Sequence, residues 1–181
     1  MKMEKAEPAW SVPVVVEDIP DAGQRLDLDA PEANRDVIAR LAALRSLPRL
    51  TARFDLARQG GGVHVSGRVS ARVGQNCVVT LEPIESDVEE AVDLVFLPGN
   101  AASAPGAETD IHVKHGDEAL EPLVGGVVDL GKVATEFLLL GIDPYPRKAG
   151  AKFMPPKTGD TGSHPFAALE ALKKRPGSDK P

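Results

Sequence analysis

Val63-His64-Val65-Ser66-Gly67-Arg68-Val69-Ser70-Ala71-Arg72-Val73 is the most regular stretch of the chain. Apolar or small residues occupy every second position, and polar or charged residues fill the gaps. Alternation with period two predicts a strand with one face inward and the other toward water or a partner. Upstream, Leu50, Ala52, Phe54 and Leu56 alternate in the same way with Thr51, Arg53 and Asp55. Gly60-Gly61-Gly62 lies between the two runs and reads as a hairpin turn, since glycine reaches the positive φ angles that tight turns need. Pairing the two strands gathers Arg53, Arg68 and Arg72 on the polar face, with His64 in line.

The sheet extends outward from this hairpin. Gly74-Gln75-Asn76 is expected to turn the chain into a strand from Cys77 to Ile84, and a further strand is expected from Ala91 to Leu97. The four neighbours make an antiparallel meander. Before them, Trp10 to Ile19 reads as an edge strand because Pro13 cannot donate to a central ladder. Arg25 to Leu28 reads as a short second strand. A helix is expected from about Ala30 to Leu47, with Val37, Ile38, Leu41 and Leu44 buried and Pro48 as its stop.

Asp129-Leu130-Gly131-Lys132-Val133-Ala134-Thr135-Glu136-Phe137-Leu138-Leu139-Leu140-Gly141 predicts a second helix, apolar on most sides. Asp129 is its N-cap, and Gly141 is its expected left-handed terminator, followed by Pro144 and Pro146. Val133, Phe137 and Leu140, with Leu130, form the expected buried stripe. On that reading Phe137→Ala costs about 3–5 kcal/mol.

These elements give an α+β fold: an antiparallel sheet curled toward a partly open barrel and covered by two or three helices. The expected division is one domain over residues 1–147, a flexible linker over 148–163 and a mobile C-terminal tail over 164–181. Pro98 to Gly106 is an aperiodic loop, and Asp110 to Lys114 a brief strand. In the tail, Pro165 to Lys174 forms a short helix with Phe166, Leu169 and Leu172 on one side and Lys173 and Lys174 at its end. That stripe either packs on the domain or docks on a partner.

The chemistry that composition allows is narrow. A net charge of −6 over 181 residues argues against a generally basic nucleic-acid binder, while leaving room for a local basic face. Cys77 is the one cysteine, so no internal disulfide is possible, and a reducing compartment suits it. No cofactor, metal or small-molecule substrate is expected. His112 and His115 lack a matching second pair of ligands, and Gly60-Gly61-Gly62 lacks the lysine and context of a phosphate loop. The favoured reading of Cys77 is a small buried hydrophobe in a strand. No stretch has the length and hydropathy of a membrane span, and the N-terminus carries no export signal, so the expected location is the cytoplasm.

Three blocks carry a family resemblance. The segment from Val128 to Pro146, the segment Asn76-Cys77-Val78-Val79-Thr80-Leu81-Glu82-Pro83-Ile84, and His164-Pro165-Phe166-Ala167-Ala168-Leu169-Glu170-Ala171-Leu172-Lys173-Lys174 resemble, in that order, blocks of the YceD family of bacterial and plastid proteins. The family's Cys-x-x-Cys is absent, because Cys77 is followed by Val78, Val79 and Thr80. The resemblance implies a non-enzymatic ribosome-biogenesis factor that supports processing or accumulation of large-subunit (23S) ribosomal RNA. Its partner would be that RNA or an early large-subunit ribosomal protein. Under the RNA reading, Arg53, His64, Arg68 and Arg72 contact phosphates while Phe166, Leu169, Leu172, Lys173 and Lys174 dock a protein. Under the alternative, the chain is a protein-binding adaptor without RNA contact, and the acidic runs Glu85 to Glu90 and Asp117 to Glu121 attract a basic ribosomal protein. A solvated face with charge pairs to Asp55, Glu82 or Asp93 is the plain reading of the arginines.

Overall fold

In the computed structural model the strands form a five-stranded sheet and a separate two-stranded one. The structure describes residues 8–98 and 119–153. Residues up to Ala151 form one compact unit, and Lys152 begins a second. The aperiodic loop after Pro98, the brief strand at Asp110 to Lys114, the two histidines near it and the tail segment at Phe166 to Lys174 lie outside the described residues.

The elements run β1 (Pro13–Val15), a 3-10 turn (Val16–Asp18), β2 (Gln24–Asp29), α1 (Glu32–Leu41), β3 (Ser46–Gln59), β4 (Gly62–Asn76), β5 (Pro83–Pro98), β6 (Ala119–Leu123), β7 (Val127–Asp129) and α2 (Leu130–Gly141). The main sheet has the order β2-β3-β4-β5-β6. Its first three pairings are antiparallel and its last, β5 with β6, is parallel. Among the described residues β2 and β6 are its two ends, and no pairing closes it into a barrel. The architecture is α+β, with two helices among the described residues.

β3 and β4 form the hairpin that the alternation predicts. Gln59 pairs with Gly62 across a two-residue loop, and Gly60 and Gly61 both have positive φ (56° and 81°), as a type I′ turn requires. Leu50, Ala52, Phe54 and Leu56 face inward from β3, and Val63, Val65, Val69, Ala71 and Val73 from β4; all are buried. Gly67 stands opposite Phe54, where a Cβ would fall 2.0 Å from the Arg53 carbonyl oxygen. No larger residue fits there without moving β3.

The turn expected at Gly74-Gln75-Asn76 is instead the end of β4, and the strand expected from Cys77 to Ile84 is the loop that joins β4 to β5. Asn76 pairs with Pro83, Cys77 N–H donates to the Glu82 carbonyl, and Leu81 takes a φ of 61° to close the loop. Apolar residues there mimic a strand, but only Cys77 is buried, while Val78 and Leu81 are exposed. β5 is correspondingly longer than the expected Ala91 to Leu97 and takes in the acidic run from Glu85 to Glu90.

α1 stops at Leu41 rather than near Leu47. Ala43 adopts φ 52°, Leu44 N–H bonds the Ala39 carbonyl and Ala43 N–H bonds the Arg40 carbonyl. This is a Schellman ending built on alanine where glycine is usual, which removes the sequence signal for a stop. Leu47 becomes a buried residue of β3, and Pro48 sits at the irregular register between Ser46 and Arg49, beyond the reach of β2. Ile38 and Ala39 carry the packing of α1, while Val37 and Leu41 are exposed. The edge strand expected from Trp10 to Ile19 shrinks to β1, which pairs with β7 in the small sheet.

α2 begins as expected. The Asp129 carboxylate accepts from the N–H groups of Gly131 and Lys132, and from Ser11 Oγ and Val12 N–H as well. One side chain therefore caps the helix and ties the N-terminal segment to it. The buried stripe differs from the expected one: Leu130, Val133, Ala134 and Leu138 are enclosed, Phe137 is half-buried, and Leu140 is 77% exposed. Gly141 is not a left-handed terminator. It belongs to the last turn, where a Cβ would lie 2.6 Å from Val88 Cγ1 and 2.5 Å from Glu90 Oε1, so its role is close approach of α2 to β5. Ile142 then leaves in an extended conformation.

Two outcomes test this packing. Leu138→Ala is expected to lose about 2–5 kcal/mol of unfolding free energy in urea, and Phe137→Ala less than Leu138→Ala, because only Leu138 is fully enclosed. Ala43→Gly is expected to gain about 1 kcal/mol in the same measurement, since it relieves a left-handed alanine.

Candidate interaction face

The register of β3 against β4 places Arg53 directly opposite Arg68 and Arg49 directly opposite Arg72, with Thr51 and Ser70 between them. All six point away from the core, opposite in sense to the buried residues on either side. A column of four arginines therefore runs along the outer face of the sheet. Like charges directly across a sheet destabilise it unless something neutralises them. β2 supplies Asp27 and Asp29 on one flank, and β5 supplies Glu85, Asp87, Glu89 and Asp93 on the other.

Each arginine of the column turns toward a flank. Arg53 Nε donates to Asp27 and Arg68 Nη1 to Glu89 at 2.9 Å. Arg72 reaches both Glu85, at 2.9 Å, and Asp87, at 3.3 Å, and Arg49 approaches Asp87 at 3.8 Å. Next to the column, Arg25 holds Asp55 through two bonds at 2.6 and 3.1 Å. Its hydrogen bonds hold the Asp55 carboxyl below the usual carboxylate range, and the Glu85 bond raises the Arg72 guanidinium. His64 Nε2 lies 2.6 Å from Asp93 Oδ1. The expected grouping of Arg53, His64, Arg68 and Arg72 on one face is what the register produces.

The partners differ from those that the sequence suggests. Asp55 serves Arg25, and Glu82 serves Lys148 at 3.1 Å. Of the residues considered, Asp93 alone meets a member of the group, His64. Asp27, Glu85, Asp87 and Glu89 were the missed members of the face. Their signal was the alternation Glu85, Asp87, Glu89 along a strand, hidden by starting that strand at Ala91.

This face carries five guanidinium groups, including Arg25, and seven carboxylates, those of Asp27, Asp29, Asp55, Glu85, Asp87, Glu89 and Asp93. The face is charge-laced and acidic in balance. Each pair is exposed, so each contributes only about 0–1 kcal/mol to stability.

Cys77 lies in the loop between β4 and β5, fully buried, rather than in a strand. Its Sγ accepts from the Lys148 N–H at 3.3 Å and the Thr80 N–H at 3.4 Å. The segment after α2 is laid against this loop: Val78 N–H bonds the Pro146 carbonyl, and Gln75 Nε2 bonds the Asp143 carbonyl. The Lys148 N–H, and after it Thr80, bring the thiol down to about 6, against the opposing cost of desolvation. Among the described residues no three His, Cys, Asp or Glu side chains converge as a metal site, and no helix is long and apolar enough to cross a membrane.

The Cys77 arrangement has a pH consequence. The folded thiol ionises near 6, and an unfolded thiol near about 8.5. The group therefore stabilises the fold fully above the higher value and loses that contribution as pH falls through the lower one. The melting temperature of wild type relative to Cys77→Ala is expected to be greater at about pH 9 than at about pH 5. A gap independent of pH would show that the thiol is not ionised in the folded protein.

The family model described as large ribosomal RNA subunit accumulation protein YceD matches residues 65–173. That stretch spans β4 from Val65, β5, β6, β7 and α2. No curated protein and no solved structure matches the chain. The chain belongs to the YceD family.

Proposed function

We propose that the protein supports accumulation of large-subunit ribosomal RNA as a non-catalytic binding factor, and that its outer sheet face holds a basic segment of a large-subunit ribosomal protein. The family description supplies the ribosomal-RNA role. The observation that carries the choice of partner is the charge balance of the face, where carboxylates outnumber guanidinium groups and occupy both flanks of the arginine column.

Magnitudes separate the two partners considered for this face. Freeing one arginine from an exposed carboxylate costs about 0–1 kcal/mol, so pairing alone does not keep RNA away. The surrounding field does. A phosphate placed over Arg68 would sit among carboxylates of neighbouring strands, within the screening length of about 8 Å at physiological salt. A lysine- or arginine-rich protein segment meets the opposite situation: the flanks attract it, and the central arginines fix its register by repelling it from the middle. Complementary fields of this kind mainly raise the association rate and reject wrong partners. Each of the five arginines on the face already has a carboxylate from another strand within ion-pair distance.

The test is capture of purified large-subunit ribosomal proteins by immobilised protein. Wild type is expected to retain one or a few basic proteins at moderate salt and to release them at high salt. The triple variant Glu85→Gln, Asp87→Asn, Glu89→Gln is expected to lose at least about tenfold in affinity, equivalent to about 1.4 kcal/mol, with its melting temperature little changed. Retention of the same proteins with undiminished affinity by the variant would remove the sheet face from the contact.

A further inference from the structure

The arginines that lack a carboxylate partner lie elsewhere, and three of them share one cleft. Arg35 and Arg40 on α1 and Arg45 in the turn before β3 line a depression of about 320 Å³ between α1 and the start of β3. None of the three lies within 4.0 Å of a carboxylate oxygen among the described residues, in contrast to every arginine of the sheet face. Arg35 is half-buried, and its Nη1 donates to the Ala30 carbonyl at 2.5 Å. Arg45 Nη1 donates to Asn76 Oδ1 at 3.1 Å. Both are thus oriented by neutral acceptors that leave their charge uncompensated. Arg40 is exposed and makes no hydrogen bond with a described residue.

Two carboxylates, Glu32 and Asp36, also line the cleft. Both stand one and two turns before Arg40 on the same helix, and neither closes on a guanidinium. The cleft therefore holds a positive balance on a chain whose overall charge is −6. The last turn of α1 adds a further constraint: its closing carbonyls are taken by the Schellman bonds of Ala43 and Leu44, so the arginines there are not consumed in capping it.

We infer that this cleft is a phosphate-backbone contact for RNA, separate from the protein-binding sheet face. The inference rests on the family's ribosomal-RNA role and adds a site to it. Guanidinium forks suit phosphate oxygens by geometry, and backbone contacts by arginine give affinity without sequence preference. Arg35, Arg40 and Arg45 precede the stretch that the family model matches, so the contact belongs to this chain's own N-terminal half.

The experiment uses the full chain and a fluorescently labelled RNA hairpin from large-subunit ribosomal RNA, titrated by anisotropy over a range of salt. Wild type is expected to bind with an affinity that falls linearly with salt on logarithmic axes. Arg40→Glu and the pair Arg40→Ala with Arg45→Ala are each expected to weaken binding by at least about tenfold. The double variant is also expected to lower the magnitude of the salt slope by about 2, one for each phosphate contact removed. Lys132→Ala on α2 controls for loss of one positive charge elsewhere and is expected to bind as wild type does. Arg40 is exposed and has no partner among the described residues, so its loss removes charge without breaking a contact, and melting temperatures check that each variant is folded. Absence of RNA binding by wild type, or unchanged affinity of the Arg40 and Arg45 variants, overturns the inference. A loss shared equally by Lys132→Ala overturns it as well, by showing that net charge alone decides. Protein capture by the sheet face is read in the ribosomal-protein assay and stands or falls independently.

Discussion

The register between β3 and β4 is the constraint on which the molecule depends. A slip of one residue would carry Val65, Val69 and Val73 to water and drive Arg68 and Arg72 into the core, because side chains alternate with period two. The two-glycine turn at Gly60 and Gly61 holds that register locally. The buried valines hold it through the hydrophobic effect, at about 1.5–3 kcal/mol for each fully enclosed side chain. The same register that buries one face sets arginine against arginine on the other. The carboxylates of β2 and β5 offset that repulsion, at about 0–1 kcal/mol for each exposed pair.

This coupling links fold to function. The outer face is the by-product of a well-made core: a cationic column between two anionic margins, with the anions in excess. The Asp129 carboxylate plays a comparable part at the other end of the unit, where four donors from two parts of the chain converge on it. Membership in a family named for large-subunit ribosomal RNA accumulation gives the two proposals a setting, in which the sheet face and the cleft would divide the work by charge. The acidic face is suited to basic protein and the unpaired arginines beside α1 to phosphate.

Much of this was legible in the chain. The β3–β4 hairpin, the α+β class, the capping of α2 by Asp129 and the grouping of Arg53, His64, Arg68 and Arg72 all follow from local patterns with strong physical grounds. What was not legible depended on tertiary context. Ala43 ends α1 in a conformation that alanine rarely takes, so no residue marked the stop. Cys77, Val78 and Val79 look like strand residues but lie in a loop held by the segment after α2. Glu85 to Glu90 look like a solvated acidic run, yet alternate along a strand. Gly141 looks like a terminator, though its lack of a side chain serves the approach of α2 to Val88. The cleft arginines were missed because spacing within α1 and the turn after it does not reveal which cations will find carboxylates.

The most direct measurement is photocrosslinking in cells from position 70, where Ser70 stands at the centre of the arginine column with its side chain outward. A photoreactive amino acid there is predicted to form conjugates with a basic large-subunit ribosomal protein during assembly. Conjugates formed with RNA alone, or none above a control position inside α2, would contradict the account.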